Sequence, residues 1–306
     1  MLAPDPSTMS PAVKALYPFE VREYASADGV MRFVDHGPKD GPAVLLLHGN
    51  PSWSFLWRNL VLKLGKAGFR VIAPDHLGMG LSDRPAKFLR LDDRINAVHG
   101  LVEFLGLKKF DIGVHDWGGA IGLGLAGRMP ERIGKILITN TGAFLSDNIP
   151  KRIALCRLPF IGRFLVEIFN AFAWPATWMA VQKPMNKPTK EGFLFPYQTA
   201  DSRKAVADFV ADIPMELNHP TRKVLAEVGE RLVLLKDKRV MILWGLRDFC
   251  FDQTFLAEFE RRFPHAQKLI FSEAGHYVLE DAGDAAIDPV VQFFLNAESN
   301  RERGVK

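Results

Sequence analysis

Along the chain, short apolar runs that stop at glycine or aspartate alternate with longer stretches whose apolar residues recur every three or four positions. "AVLLLHG" at 43–49 is a continuous apolar run ending at Gly49, which predicts a parallel strand buried on both faces. "WSFLWRNLVLKLGKAG" has helical spacing and a glycine stop. "FRVIAPD" predicts a second strand and "LDDRINAVHGLVEFLG" a helix opened by acids. "FDIGVHD", "WGGAIGLGLAGRMPERI" and "KILITNT" predict a further strand, helix and strand. After an interruption, "KVLAEVGERLVLLKD", "RVMILWG", "DQTFLAEFERRFP", "KLIFSEAG" and "DAAIDPVVQFFLNA" resume the rhythm. Such alternation predicts an α/β fold, a mostly parallel sheet with helices on both faces. "FEVREYASADGVMRFVDHG" predicts instead an antiparallel strand pair at one edge. The rhythm divides the chain into two core segments, 20–145 and 226–300, around an inserted helical cap at 146–225.

The cap holds the most apolar stretch of the chain, "LPFIGRFLVEIFNAFAWPATWMAV". Arg163, Glu167, Asn170 and Pro175 interrupt it well short of the roughly 20 apolar residues that span a bilayer. It reads as a lid packed on the core, with a membrane-surface helix as the other reading. Charge narrows the partners: a net +4 over 306 residues, scattered without a basic block, argues against nucleic acid. Cys156 and Cys250 lie far apart in no metal-ligand spacing, and read as free thiols of a reducing compartment. The Pro-rich, charge-broken N-terminus does not read as a signal peptide, so a cytoplasmic location is expected. "PDHLGMGLSDRP" at 74–85 has neither the lysine of a phosphate-binding loop nor the spacing of a dinucleotide fingerprint.

In open α/β sheets, function collects at the carboxyl ends of strands. Four of the predicted ends carry unexpected polar residues: Asn50 in "HGNPSW", Asp116 and Trp117 in "HDWGG", Asp248 in "LRD" and His276 in "EAGH". Each has an ordinary structural use, as a helix cap, a turn former or a satisfied loop histidine. Together they stand in the chain order nucleophile, acid, histidine, with Gly118 and Gly119 permitting a tight strand-to-helix turn after Asp116. His48 and His115 flank these residues and read as loop supports.

An aspartate where serine would serve esters points to attack at a carbon bearing a leaving group. A serine ether would resist water, whereas an aspartyl alkyl ester is resolved by an activated water or by internal elimination. Halides, epoxides and strained lactones are the candidate substrates. His276, oriented by Asp248, would act as base. The Trp117 indole N–H and Asn50 amide are donors for a departing anion, and the backbone N–H groups of both residues would form an oxyanion hole.

"HGNPSWSFLWRNL", "PDHLGMGLSDRP", "HDWGG", "WGLRDFCFD" and "GHYVLED" resemble the haloalkane dehalogenases of the α/β-hydrolase superfamily. Within that group the chain is most similar to the β-lactone decarboxylases of bacterial long-chain olefin biosynthesis, through "ITNTGAF", "FNAF" and "DIPM" around the cap as well. The resemblance implies an α/β-hydrolase fold, cis-3-alkyl-4-alkyloxetan-2-one substrates, a cis-alkene and CO2 as products, and no cofactor. It makes Asp116 the nucleophile, His276 the base and Asp248 the acid partner, with Asn50 and Trp117 stabilising the leaving anion. It also suggests assembly with the β-lactone synthetase of the same pathway. Dehalogenases that carry their acid after the strand here ending "ITNT" differ, because this chain offers Asn140 and Thr141 there. Hydrolytic haloalkane dehalogenation is the main alternative. Epoxide hydrolases need two cap tyrosines, and only Tyr197 lies in this cap. A non-enzymatic receptor would not need the full set of nucleophile, acid and base. Asp116 attacking the ring carbon, or the carbonyl through an anhydride, both fit these residues.

Overall fold

A strand without polar interruption must be covered on both faces, and the central strands obey this rule. In the computed structural model, which describes residues 3–146, 151–158 and 160–296, β3 (Ala43–Leu47) is buried from Val44 to Leu47 and β7 (Val240–Gly245) throughout. They belong to one eight-stranded sheet in the order β1-β2-β4-β3-β5-β6-β7-β8. The remaining strands are β1 (Val21–Ser26), β2 (Gly29–His36), β4 (Arg70–Pro74), β5 (Phe110–Asp116), β6 (Ile133–Thr141) and β8 (Gln267–Phe271). β1 and β2 form the expected antiparallel edge, β2 runs antiparallel to β4, and β4, β3 and β5 to β8 are parallel. The chain leaves β3 for β4 on one side and reaches β5 on the other. That reversal opens a crevice at the carboxyl ends of β3 and β5.

The helices are α1 (Pro11–Leu16), α2 (Arg58–Lys66), α3 (Leu91–Phe104), α4 (Trp117–Arg128), α5 (Lys151–Cys156), α6 (Ile161–Phe169) and α7 (Ala173–Met179). α8 (Lys187–Leu194), α9 (Lys204–Ala211), α10 (Pro220–Arg231), α11 (Gln253–Arg262), α12 (Val278–Ala282) and α13 (Asp284–Leu295) follow. α3, α4 and α10 pack together on one side of the sheet, while α2 packs on α13. α4 shows no amphipathic stripe because ten of its residues, Gly118 to Gly127, are buried. Short α12, just after His276, had no separate sequence signal.

The apolar cap stretch departs from expectation. It is two short helices, α6 and α7, parted at Asn170, which adopts a left-handed conformation with φ 53°. Gly162, Val166, Ala173 and Thr177 pack inward. Phe160, Ile161, Phe164, Phe169, Trp174 and Trp178 are instead 44–90% exposed. The reading of this stretch as a lid packed on the core therefore holds for only one side of each helix. No described helix is long and apolar enough to cross a membrane. Of the predicted divisions, residues 147–150 and 159 of the cap and 297–300 of the second core segment lie outside the described residues.

Candidate active site

The site begins with a backbone problem. β5 must end and α4 begin within one residue if a side chain is to stand clear of the sheet, and Asp116 does so with φ 51° and ψ −127°. That conformation is costly for a residue with a Cβ, so the surroundings must enforce it. Room comes from glycine: a Cβ on Gly118 would collide with the Leu47 carbonyl, and one on Gly119 with the Thr141 hydroxyl. The Thr141 hydroxyl in turn donates to the Asp116 carbonyl and props the elbow from β6. Gly49 approaches from the β3 loop, where a Cβ would collide with the Asp116 carboxylate itself.

The carboxylate has two differently treated oxygens. Oδ1 accepts the Asn50 backbone N–H at 2.6 Å, and the neighbouring Trp117 N–H favours the ionised carboxylate. The oxyanion donors predicted from sequence thus stand around the aspartate. Oδ2 lies 3.7 Å from His276 Nε2. On the far side of the ring, His276 Nδ1 bonds Asp248 Oδ2 at 2.9 Å. Asp116, Asp248 and His276 are all buried. Burial raises the Asp116 carboxyl above its ordinary range, opposed by His276 and by the Trp117 and Asn50 amides. Burial alone would lower His276, yet Asp248 and then Asp116 hold it above its ordinary value. Asp248 and Asp116 together thus favour the cationic form of His276 against its burial.

Sequence reasoning missed the residue that fixes the acid. Asn140, at the end of β6 with φ 29°, donates from Nδ2 to Asp248 Oδ2 at 2.9 Å and to the Gly245 carbonyl at 3.1 Å. Its Oδ1 accepts the Gly245 N–H at 2.9 Å, which locks the amide's orientation. The Cys250 N–H completes the shell on Asp248 Oδ1 at 2.7 Å. The sequence set Asn140 aside as non-ionisable; its positive φ was the hidden signal.

Asn50 and Trp117 differ from one another. Trp117 is half-buried, meets Phe209 edge-on and lines the cavity. Asn50 also lines the cavity, but its Nδ2 donates to the Val206 carbonyl of α9 at 3.2 Å and its Oδ1 has no partner. One amide N–H therefore ties the β3 loop to the cap and one is left for a ligand. The flanking histidines support loops: His48 Nε2 accepts the His76 N–H at 3.0 Å, and His115 Nε2 donates to the His276 carbonyl at 3.0 Å. Asp75 of the "PDHLGMGLSDRP" run accepts the Ser54 and Leu81 N–H groups at 2.7 and 2.8 Å, so this run braces the site. Tyr197 hydrogen-bonds the Ser52 carbonyl at 3.1 Å and does not line the cavity.

Above the carboxylate lies a cavity of about 1330 Å³, open solvent at its mouth included. The cap supplies small or flexible walls, including Ala171, Pro175, Ala176 and Met179, while the core adds Phe249, Phe251 and Phe255. Of the aromatics in the apolar cap stretch, Phe172 lines the cavity, whereas Phe160, Phe164, Phe169, Trp174 and Trp178 do not.

Residues 42–283 match the alpha/beta hydrolase fold family. The chain is 39% identical over 293 residues to the cis-3-alkyl-4-alkyloxetan-2-one decarboxylase of Shewanella oneidensis, covering 93% of this chain and 91% of that protein. It is 29% identical over 294 residues to haloalkane dehalogenase 2 of Mycobacterium bovis, covering 91% and 96%. The crystal structure of haloalkane dehalogenase DbeA from Bradyrhizobium elkani superimposes with a TM-score of 0.82 over 90% of this chain and 98% of that one, at 23% identity. That last likeness is one of fold.

Proposed function

The chain belongs to the alpha/beta hydrolase fold family and, within it, to the cis-3-alkyl-4-alkyloxetan-2-one decarboxylases, and from that premise we propose that it converts such β-lactones into cis-alkenes and CO2 with Asp116 as nucleophile. The observation that carries the reading is the asymmetric carboxylate. Oδ1 is held by the Asn50 backbone N–H while Oδ2 faces His276 beneath an apolar cavity. Such an oxygen is positioned to attack carbon, and the cavity suits an alkyl-substituted ring.

In the reaction we propose, Oδ2 displaces the ring oxygen from C4, forming an ester to Asp116 and freeing the lactone carboxylate. The bond from C3 to that carboxylate then breaks. Its electron pair becomes the second C3–C4 bond, CO2 departs, and the C4–O bond returns its electrons to Asp116. Attack from behind the ring C–O bond leaves the new ester antiperiplanar to the departing carboxylate. The alkyl groups stay on one side and a cis-alkene follows without rotation. His276, held cationic by Asp248, steadies the freed carboxylate together with the Trp117 indole and the remaining Asn50 N–H. No water is consumed. A cytoplasmic setting is consistent with Cys156 and Cys250, which are both free, and docking to the β-lactone synthetase of the pathway is part of the same proposal.

The test is one assay with two substrates. A long-chain cis-β-lactone and a bromoalkane are offered separately, with Asp116→Ala as control, and alkene and bromide are followed. Asp116-dependent alkene with little bromide is expected, with Asp116→Ala slower by about 10⁴-fold or more. Bromide release without alkene would replace the proposal by hydrolytic dehalogenation.

A further inference from the structure

α5 and α7 each have one apolar side on the cavity and another toward solvent, and α6 beside them exposes further apolar residues. Along α7, Pro175, Ala176 and Met179 line the cavity while Trp174 and Trp178 are 56% and 44% exposed. Along α5, Ile153 and Cys156 line it while Leu155 is 52% exposed. On α6 and at its entry, Phe160, Ile161, Phe164 and Phe169 are 90%, 58%, 55% and 63% exposed. The outer rings meet one another rather than the core: Phe164 packs on Phe169 at 5.5 Å and Trp174 on Trp178 at 4.2 Å. Exposed large apolar residues gathered on adjacent elements mark an interaction surface.

We infer that this face of α5, α6 and α7 docks on an anionic lipid surface, placing the cavity against the phase that dissolves its long-chain ligand. Three observations select a bilayer as occupant. Two of the three helices that expose the face, α5 and α7, also wall the cavity, so one helix thickness separates the cavity from the face there, while α6 adds exposed surface without lining the cavity. Paired tryptophans beside phenylalanines are the side chains that settle at a headgroup boundary. Charge is weakly complementary: the stretch 151–180 carries Lys151, Arg152, Arg157 and Arg163 against the single acid Glu167, a net +3 that falls to +1 when Asp208 and Glu216, the partners of Arg163 and Arg157, are counted. Arg163 is already paired with Glu167 at 2.6 Å and Asp208 at 2.7 Å, and Arg157 with Glu216. Apolar insertion is therefore the main anchor, and charge sets the preference among lipids. The inference rests in part on the proposed lipophilic substrate.

Vesicle flotation tests it without turnover. Wild-type chain is mixed with vesicles of phosphatidylethanolamine and phosphatidylglycerol, or of phosphatidylcholine alone, and tryptophan emission is followed with and without brominated lipid. Of the six tryptophans, Trp53, Trp57 and Trp244 are fully buried and Trp117 lines the cavity, so quenching reports Trp174 and Trp178. Flotation with the anionic vesicles and a quenched blue shift are expected. Trp174→Phe with Trp178→Phe should lose the quench yet still float. Phe160→Ser, Phe164→Ser and Phe169→Ser combined should weaken partition at least about tenfold. Failure to float, or undiminished binding by the serine variant, overturns the inference. So does a serine variant that converts a dimer to a monomer in solution, or a face covered only when another protein is present. A chain that makes alkene yet ignores vesicles overturns the docking alone.

Discussion

The floor of the site and the outer cap use apolar burial in opposite ways. On the floor, Asp116, Asp248 and His276 are buried, and the bonds from Asn140, Thr141, Cys250 and Asn50 fix where each points. On the outer cap, aromatic rings as large as any in the core face solvent. A buried charge is tolerable only where partners are arranged for it, and such an arrangement resists displacement. An exposed ring has no such constraint, and its replacement is felt only by whatever it touches from outside. The reaction is therefore expected to depend on the floor at the scale of an ångström, and on the outer cap hardly at all.

The sharpest way to break that contrast is to crowd the floor. Gly49→Ala places a methyl group against the Asp116 carboxylate, and either the nucleophile or the β3 loop must move. A displacement of that size is expected to lower kcat by about 10²-fold or more, since near-attack geometry is lost. Thermal unfolding should show the domain still folded. Steady-state alkene formation measured beside a melting curve checks both; unchanged kcat would mean that Oδ1 is not held as described.

The division between floor and cap also explains what the sequence made legible. Asn50, Asp116, Trp117, Asp248 and His276 were found because strand ends are punctuated by glycine and polar residues, and α/β topology brings those ends together. Asn140 escaped because its role lies in a backbone dihedral and two bonds to Gly245, neither of which has a composition signature. The use of Asn50 by Val206 escaped for a related reason: the partner is a main-chain carbonyl 156 residues away, to which the amino-acid code is blind. The cap misled differently. α6 is amphipathic, with Arg163 and Glu167 paired on its polar side, yet composition alone does not tell that Val166 is buried and Phe164 exposed.

pH sharpens the account of the floor. Alkene formation as proposed needs Asp116 ionised and His276 cationic. Burial raises Asp116, so the acid limb should lie above the ordinary carboxylate range. Asp248 and Asp116 raise His276 against the effect of burial, so the alkaline limb should lie above the ordinary imidazole value. Beyond that limb the rate should fall about tenfold per pH unit as the proton is lost. Hydrolysis of an aspartyl ester needs neutral His276 as base, and bromide turnover would rise along the same limb. Rates for both substrates across this range distinguish the two uses of one histidine; an alkene rate that rises with bromide would remove the cationic role.

The smallest effect belongs to the outer cap. Phe164 is 55% exposed, packs only on Phe169 among rings and does not line the cavity. Phe164→Ser should leave kcat for a short, detergent-free soluble β-lactone within about twofold and stability within about 0.5 kcal/mol. Ala176→Phe on the inner wall gives the control, because its ring enters the cavity that Ala176 lines. It should spare short lactones and penalise long ones through KM, at about 0.8 kcal/mol for each methylene it excludes. If Phe164→Ser instead mimicked Ala176→Phe on the soluble substrate, the two sides of the cap would be energetically coupled. The outer face would then belong to the reaction rather than to whatever the cap meets from outside.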